Sequence, residues 1–157
     1  MGPLLQTWNA FYSNHAALRT AVEFLHIAGL MLAGGCAISA DLAMLRADRH
    51  GAVMRSAQLD TLRITHRLVL LGLAALTISG VLLFAADVDT FLWSKVFWLK
   101  MGLLALLLTN GALMQRGERQ VLRDAPGAWL RLRRTAIVSL VLWFVTTLAG
   151  AALPNIG

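Results

Sequence analysis

The chain has 157 residues, of which 58% are hydrophobic and only 14% charged, and its mean hydropathy is +0.68. That balance excludes a soluble domain of ordinary make-up. The net charge of +6 does not point to nucleic acid, because the basic residues sit beside apolar runs, where membrane orientation and anionic headgroups already account for them.

Residues 3–19 carry Leu4, Trp8, Phe11, Tyr12 and His15 at helical spacing, separated by Gln6, Asn9, Ser13 and Asn14. This reads as a short helix in the membrane interface, with a frayed terminus as the alternative. Four apolar runs then follow, each long enough for a hydrocarbon core that takes roughly 20 helical residues. They lie at about 21–45, 66–86, 93–115 and 134–153. Short connections make successive spans antiparallel, so the expected fold is all-α: an up-down four-helix bundle in one transmembrane domain. No signal peptide is expected, since the N-terminus lacks a basic region. Repeats and low-complexity tracts are absent.

Arg46, Arg49, Arg55, Arg63 and Arg67 cluster at and between the facing ends of the first two runs, and Arg116, Arg119, Arg123, Arg131, Arg133 and Arg134 at and between those of the last two. By the positive-inside rule both stretches face the cytoplasm of a bacterial-type inner membrane. The connection holding Asp87 and Asp89, and both termini, then lie outside. Phe91, Trp93, Phe97 and Trp98 form an expected aromatic belt at the outer boundary, with Trp129 at the inner one. The single Cys36 forms no intrachain disulfide, and the scattered methionines read as packing residues.

Ionisable groups inside a span are costly and become functional candidates by default. They are Glu23, His26, Asp41, His66, Lys95 and Lys100, with the neutral amide Asn110. His26, Gly29, Leu30, Ala33, Ala37, Ala40 and Met44 share one helical stripe of mostly small residues. Two readings stay open: close packing of another helix, or a smooth wall for a flat porphyrin beside an axial histidine. Lys100 sits at a depth comparable to His26, where it snorkels outward, pairs with Glu23, holds a carboxylate, or ligates. Asp41 and His66 belong to the other end. His26 and Asp41 are separated by roughly 22 Å of helix at 1.5 Å per residue, so His26 and His66 cannot share one mononuclear site. An ion pair of Asp41 with Arg67 or Arg63, closing the bundle, is the plainer reading; hydrogen bonding from His66 is the other, with Asn110 near the same level. His15 and His50 have no partner at ligand spacing, and no hydrolase, kinase or dinucleotide fingerprint occurs.

Leu25-His26-Ile27-Ala28-Gly29 through Gly34-Gly35 to Asp41-Leu42, then Ser79-Gly80-Val81-Leu82-Leu83-Phe84, then Phe97-Trp98-Leu99-Lys100-Met101-Gly102 resemble the motifs of small CopD-like (copper resistance D) four-helix membrane proteins. The resemblance covers about residues 21–153. A distant branch of that superfamily resembles the haem-binding membrane protoporphyrinogen oxidase type, which has a histidine in its first span and a lysine in its third; His26 and Lys100 match these. Along the first span the chain differs from that type, with Met31 and Ala33 in place of a Trp and Pro-Arg pattern. The resemblance implies haem b or copper near the outer face, with His26 as ligand and Lys100 beside it; Glu23, one turn away, is the candidate acceptor for the other nitrogen of His26, and His66 is a further cofactor-binding candidate. The implied role is electron transfer or metal handling, alone, as a homo-oligomer, or with a membrane redox partner. A cofactor-free scaffold subunit and an oxidase of porphyrin or quinone are the alternatives.

Overall fold

The computed structural model describes residues 2–47, 52–123 and 125–156, and the side chains of these except 47, 52–64, 154 and 156. Arg49, Arg55, Arg63, His50 and Met54 therefore lie outside the described side chains. Among the described residues there are six helices and no strand: α1 Pro3–Asn14, α2 Ala16–Ala47, α3 Ala52–Ala86, α4 Val88–Trp93, α5 Lys95–Val121 and α6 Ala128–Ile156. Four of them contain segments long and apolar enough to cross a membrane: Ala16–Arg46, Thr65–Ala86, Lys95–Val121 and Ala128–Leu153. The chain is a small, multi-pass integral membrane protein of the four-helix type, and Leu70, Leu71, Ile78, Val81, Leu106, Val141, Phe144 and Leu148 point outward, where lipid solvates them.

The boundaries differ from the expected ones where local hydrogen bonds intervene. Only His15 interrupts the N-terminal helix, so residues 16–20 join the first spanning helix instead of an interfacial one. The third span starts at Lys95 and not at 93, because the Ser94 hydroxyl accepts the Phe97 N–H at 3.1 Å and caps a new helix there. Trp93 is left in α4, whose own cap is Asp87 accepting from Thr90 N–H. At the opposite end, Pro126-Gly127 makes the α5–α6 turn. Gly127 has φ 68, which glycine tolerates without strain, and Ala128 N–H closes the turn on the Ala125 carbonyl at 3.1 Å.

Backbone packing runs in the order α3–α2–α6–α5. The α2–α3 contact is the tightest: a Cβ on Gly72 would lie 2.6 Å from Ala33 N and 2.8 Å from the Gly29 carbonyl oxygen. Close approach of this kind is what small residues allow between helices in lipid, where no hydrophobic force draws them together. α6 seats Trp143 against Gly34 of α2, and Leu132 and Ala136 against Ala40 and Met44.

α1 is docked, not frayed. Trp8 Nε1 donates to the Leu82 carbonyl at 3.1 Å, Asn9 Nδ2 donates to the Ala86 carbonyl at 2.5 Å, and Tyr12 is buried with Val22 and Ala86. Asn9 thereby satisfies one of the carbonyls that the end of α3 leaves without an intrahelical partner. Burial first, and the charge of Glu23 second, push the Tyr12 phenol above its ordinary value. The expected aromatic belt divides in two: Trp93 and Trp98 are exposed, whereas Phe91 and Phe97 pack with Phe84 of α3, ring centroids 5.4 to 6.3 Å apart.

Candidate functional site

Two groups of polar side chains lie in opposite halves of the bundle. The first is at the α1 end. His26, half-buried on α2, puts Nδ1 3.0 Å from the Ser79 hydroxyl of α3, and its ring runs past Gly80, where a Cβ would sit 3.6 Å from Cε1. Ser79 is fully buried, and its oxygen lies 2.6 Å from the Ala75 carbonyl. A carbonyl only accepts, so the single hydroxyl hydrogen goes to Ala75 and the Ser79 oxygen must accept from His26. This fixes the hydrogen on Nδ1 and leaves the lone pair on Nε2, the tautomer required of a ligating imidazole whose other nitrogen is held.

Lys100 comes from α5 and lies against α6, with Cε and Nζ each 3.6 Å from where Gly150 would carry a Cβ. Its ammonium is within electrostatic range of His26. Histidine and lysine are therefore brought to one level, as their depths suggest. Glu23 is not part of the group: it is exposed and lies near Tyr12. The expectation that Glu23 holds the second nitrogen of His26 is corrected: the Ser79 hydroxyl of α3 lies 3.0 Å from Nδ1, while Glu23 is exposed.

The small-residue stripe below His26 is not an open wall. Gly29 and Ala33 are covered by Gly72, Ala75 and Leu76 of α3, and Ala33 is fully buried. Of the two uses of the stripe, the packing of a helix is the one found.

The second group lies in the half marked by the arginines. Asp41 is 1% exposed; the Ser139 hydroxyl of α6 is hydrogen-bonded to its carboxyl, and Oδ2 has no hydrogen-bond partner. The expected ion pair with Arg67 is absent: Arg67 is exposed, facing outward from α3. Arg63 falls outside the described side chains. No hydrogen bond joins His66 to Asp41 among the described residues; the Gln115 amide donates to His66 Nε2 at 2.8 Å. Asn110 is buried, but its Nδ2 donates to the Thr135 carbonyl at 3.0 Å and ties α5 to α6. Asp41, His66, Gln115, Glu118 and Ser139 instead share the wall of a cavity of about 200 Å³ between α2, α3, α5 and α6. His26 meets α3 at Ser79, thirteen residues or roughly 20 Å of helix beyond His66, so the two histidines serve different places.

Sequence reasoning passed over Ser79, Gln115 and Ser139. The signal for the last lay in α6, where Leu132, Ala136, Ser139, Trp143, Thr146 and Gly150 recur at steps of three and four and form its inward face. Among the described residues no group of three or more His, Cys, Asp or Glu could hold a metal ion. Comparisons with protein-family models, with curated proteins and with solved structures give no match.

Proposed function

We propose that this membrane protein carries a haem b or copper centre in the half nearer α1, with His26 Nε2 as ligand and Lys100 as second ligand or charge partner, and that it serves electron transfer or metal handling. The observation that supports the reading is the hydrogen-bond chain from His26 Nδ1 through Ser79 to Ala75, which is compatible with a lone pair on Nε2. Haem b or copper, when bound, supplies one-electron exchange. The residues here do the holding: Ser79 sets the tautomer, Gly80 leaves room for the ring, and Lys100 offers a positive charge to a propionate or an amine to the metal. The donor chemistry fits ligation by one imidazole, while the stripe at Gly29 and Ala33 has no space for a porphyrin face because α3 fills it.

That filling favours a second reading, a structural subunit without a cofactor, whose small residues serve helix association. An oxidase acting on porphyrin or quinone would use the same histidine and is third. The readings separate on protein purified in mild detergent from cells supplied with haem and copper. A Soret band that shifts on dithionite reduction, or stoichiometric copper in a colourless sample, is expected in wild type and lost in His26→Ala. Ser79→Ala is expected to weaken it without abolishing it, since the hydrogen-bond partners of metal-ligating histidines typically contribute about 10- to 100-fold in affinity. Wild-type protein with neither group overturns the centre and leaves the structural reading.

Both termini and the Asp87–Asp89 connection are assigned to the outside of a bacterial-type plasma membrane, on the strength of the arginines at the opposite end. A periplasm-dependent reporter fused after residue 156 is expected to be active and one fused after residue 123 inactive; the reverse pattern would invert the topology.

A further inference from the structure

Between α3 and α5, in the arginine-marked half and away from His26, we propose a binding site for a neutral monocyclic phenol that enters from the lipid and hydrogen-bonds through its hydroxyl to Asp41. The four spans pack in the order α3–α2–α6–α5, so the backbones of α3 and α5 hardly meet. Side chains bridge these two helices where His66 meets Gln115 and, toward the other end, where the Phe84 and Phe97 rings stack. Beside the first bridge lies the cavity, lined from α2 by Ala37 and Asp41 and from α6 by Ser139 and Trp143. Leu70 of α3 and Leu108 of α5 also line it and are half exposed. Access is therefore sideways from the bilayer, which admits neutral molecules far more readily than ions.

The wall sets the polar chemistry. Asp41 is 1% exposed, the Ser139 hydroxyl is hydrogen-bonded to its carboxyl, and Oδ2 has no hydrogen-bond partner. A buried carboxyl oxygen is costly to leave so, and native proteins seldom do. Donors stand on the same wall: Gln115 gives one amide N–H to His66 Nε2 and keeps a second, and the ring hydrogen of neutral His66 is then on Nδ1. Thr65 and Glu118 already have interaction partners. A cation would face these N–H groups and an anion would face Asp41, so the wall suits a neutral group that gives one hydrogen bond and takes another. A hydroxyl does both. It also matches the carboxyl in either protonation state, donating to the ionised form or accepting from the acid.

Volume and lining select the ring. An apolar cavity of about 150 Å³ holds benzene; this one, at about 200 Å³, takes a benzene ring with a small polar substituent. Trp143 and Met114 are among its walls, and an indole and a thioether are the side chains that favour an aromatic guest over a saturated one.

The test uses the full chain in mild detergent and titrates 4-fluorophenol and fluorobenzene, followed by fluorine NMR and referred to their concentrations in the detergent phase. A saturable change is expected for 4-fluorophenol, with fluorobenzene bound about tenfold more weakly or less, the worth of a hydrogen bond to a carboxylate. Phenol is expected to displace the fluorinated phenol, and cyclohexanol and benzylammonium to leave it in place. Gly111→Leu separates the site from uptake by the micelle. Gly111 lines the cavity and a Cβ there meets nothing within 4 Å, so the new side chain enters open space and should abolish the saturable change in a protein that still unfolds cooperatively. In Asp41→Val the two probes should bind equally, and binding of fluorobenzene reports an intact cavity. The proposal is overturned by the absence of a saturable change in wild type, or by its survival in Gly111→Leu. Equal binding of the two probes in wild type would mean an apolar cavity only, and displacement by cyclohexanol or benzylammonium as effective as by phenol would remove the aromatic or the neutral requirement. A preference for 4-fluorophenol that outlasts Asp41→Val would remove the carboxyl from the site; each of these also overturns it.

Discussion

Gly72→Val is expected to separate α2 from α3 and to cost about 3 kcal/mol or more, the upper end of what overpacking usually costs. The reason is the identity of the atoms in the way. A Cβ at position 72 would stand 2.6 Å from Ala33 N and 2.8 Å from the Gly29 carbonyl oxygen, and backbone of a hydrogen-bonded helix cannot rotate aside as a side chain can. Relief requires the two helices to move apart, which also pulls Ser79 from His26 and opens the contact that Gly29 makes with Ala75 and Leu76. Gly102→Ala serves as the control, since a Cβ there meets nothing within 4 Å. Unfolding midpoints in a denaturing detergent titration should fall sharply for Gly72→Val and stay level for the control; equal behaviour of the two would show that the α2–α3 approach contributes little.

Leu132→Ala carries the second large effect, at the arginine-marked end. Leu132 is fully buried between α2 and α5, packed with Ala40, Met44 and Ala136, and its Cδ1 lies 3.1 Å from where Gly117 would carry a Cβ. Truncation leaves a cavity in a place that neither lipid nor water reaches, and buried Leu→Ala changes cost about 2 to 5 kcal/mol. The lower half of that range is expected, because in lipid the loss is packing and not transfer from water. The same contact predicts a coupling. In wild type, Gly117→Ala crowds Leu132; combined with Leu132→Ala the added methyl partly refills the gap. The double variant should therefore be more stable than the two single effects added together, and strict additivity would argue against direct contact.

The four spans, their antiparallel order and the separation of His26 from His66 were legible in the chain, because span length and helical rise depend on composition and distance along the sequence alone. The facing of the helices was not. A membrane helix is apolar toward lipid and toward its neighbours alike, so the periodicity that orients a helix in a soluble protein fades. The stripe from His26 to Met44 was visible as small residues, which announce that something comes close without saying what; α3 comes close, through Gly72, a residue with no distinguishing neighbours in its own run. For the same reason Glu23 seemed a natural partner of His26 when only helix α2 was in view, and Ser79, 53 residues away, did not.

Asp41 makes the division plain. Its place inside a span, and the cost of a carboxyl there, follow from the sequence by itself, as do the membrane class of the protein and the two candidate depths at His26 and Asp41. Whether that carboxyl is paired depended on which faces α3, α5 and α6 turn toward it. Only the tertiary structure decided that Arg67 faces outward, that Gln115 occupies His66, and that Asp41 is left at the wall of a cavity with an oxygen unmet. Pairing is a property of facing surfaces, and in lipid those surfaces are selected by the close fit of small residues between helices, which no single helix records.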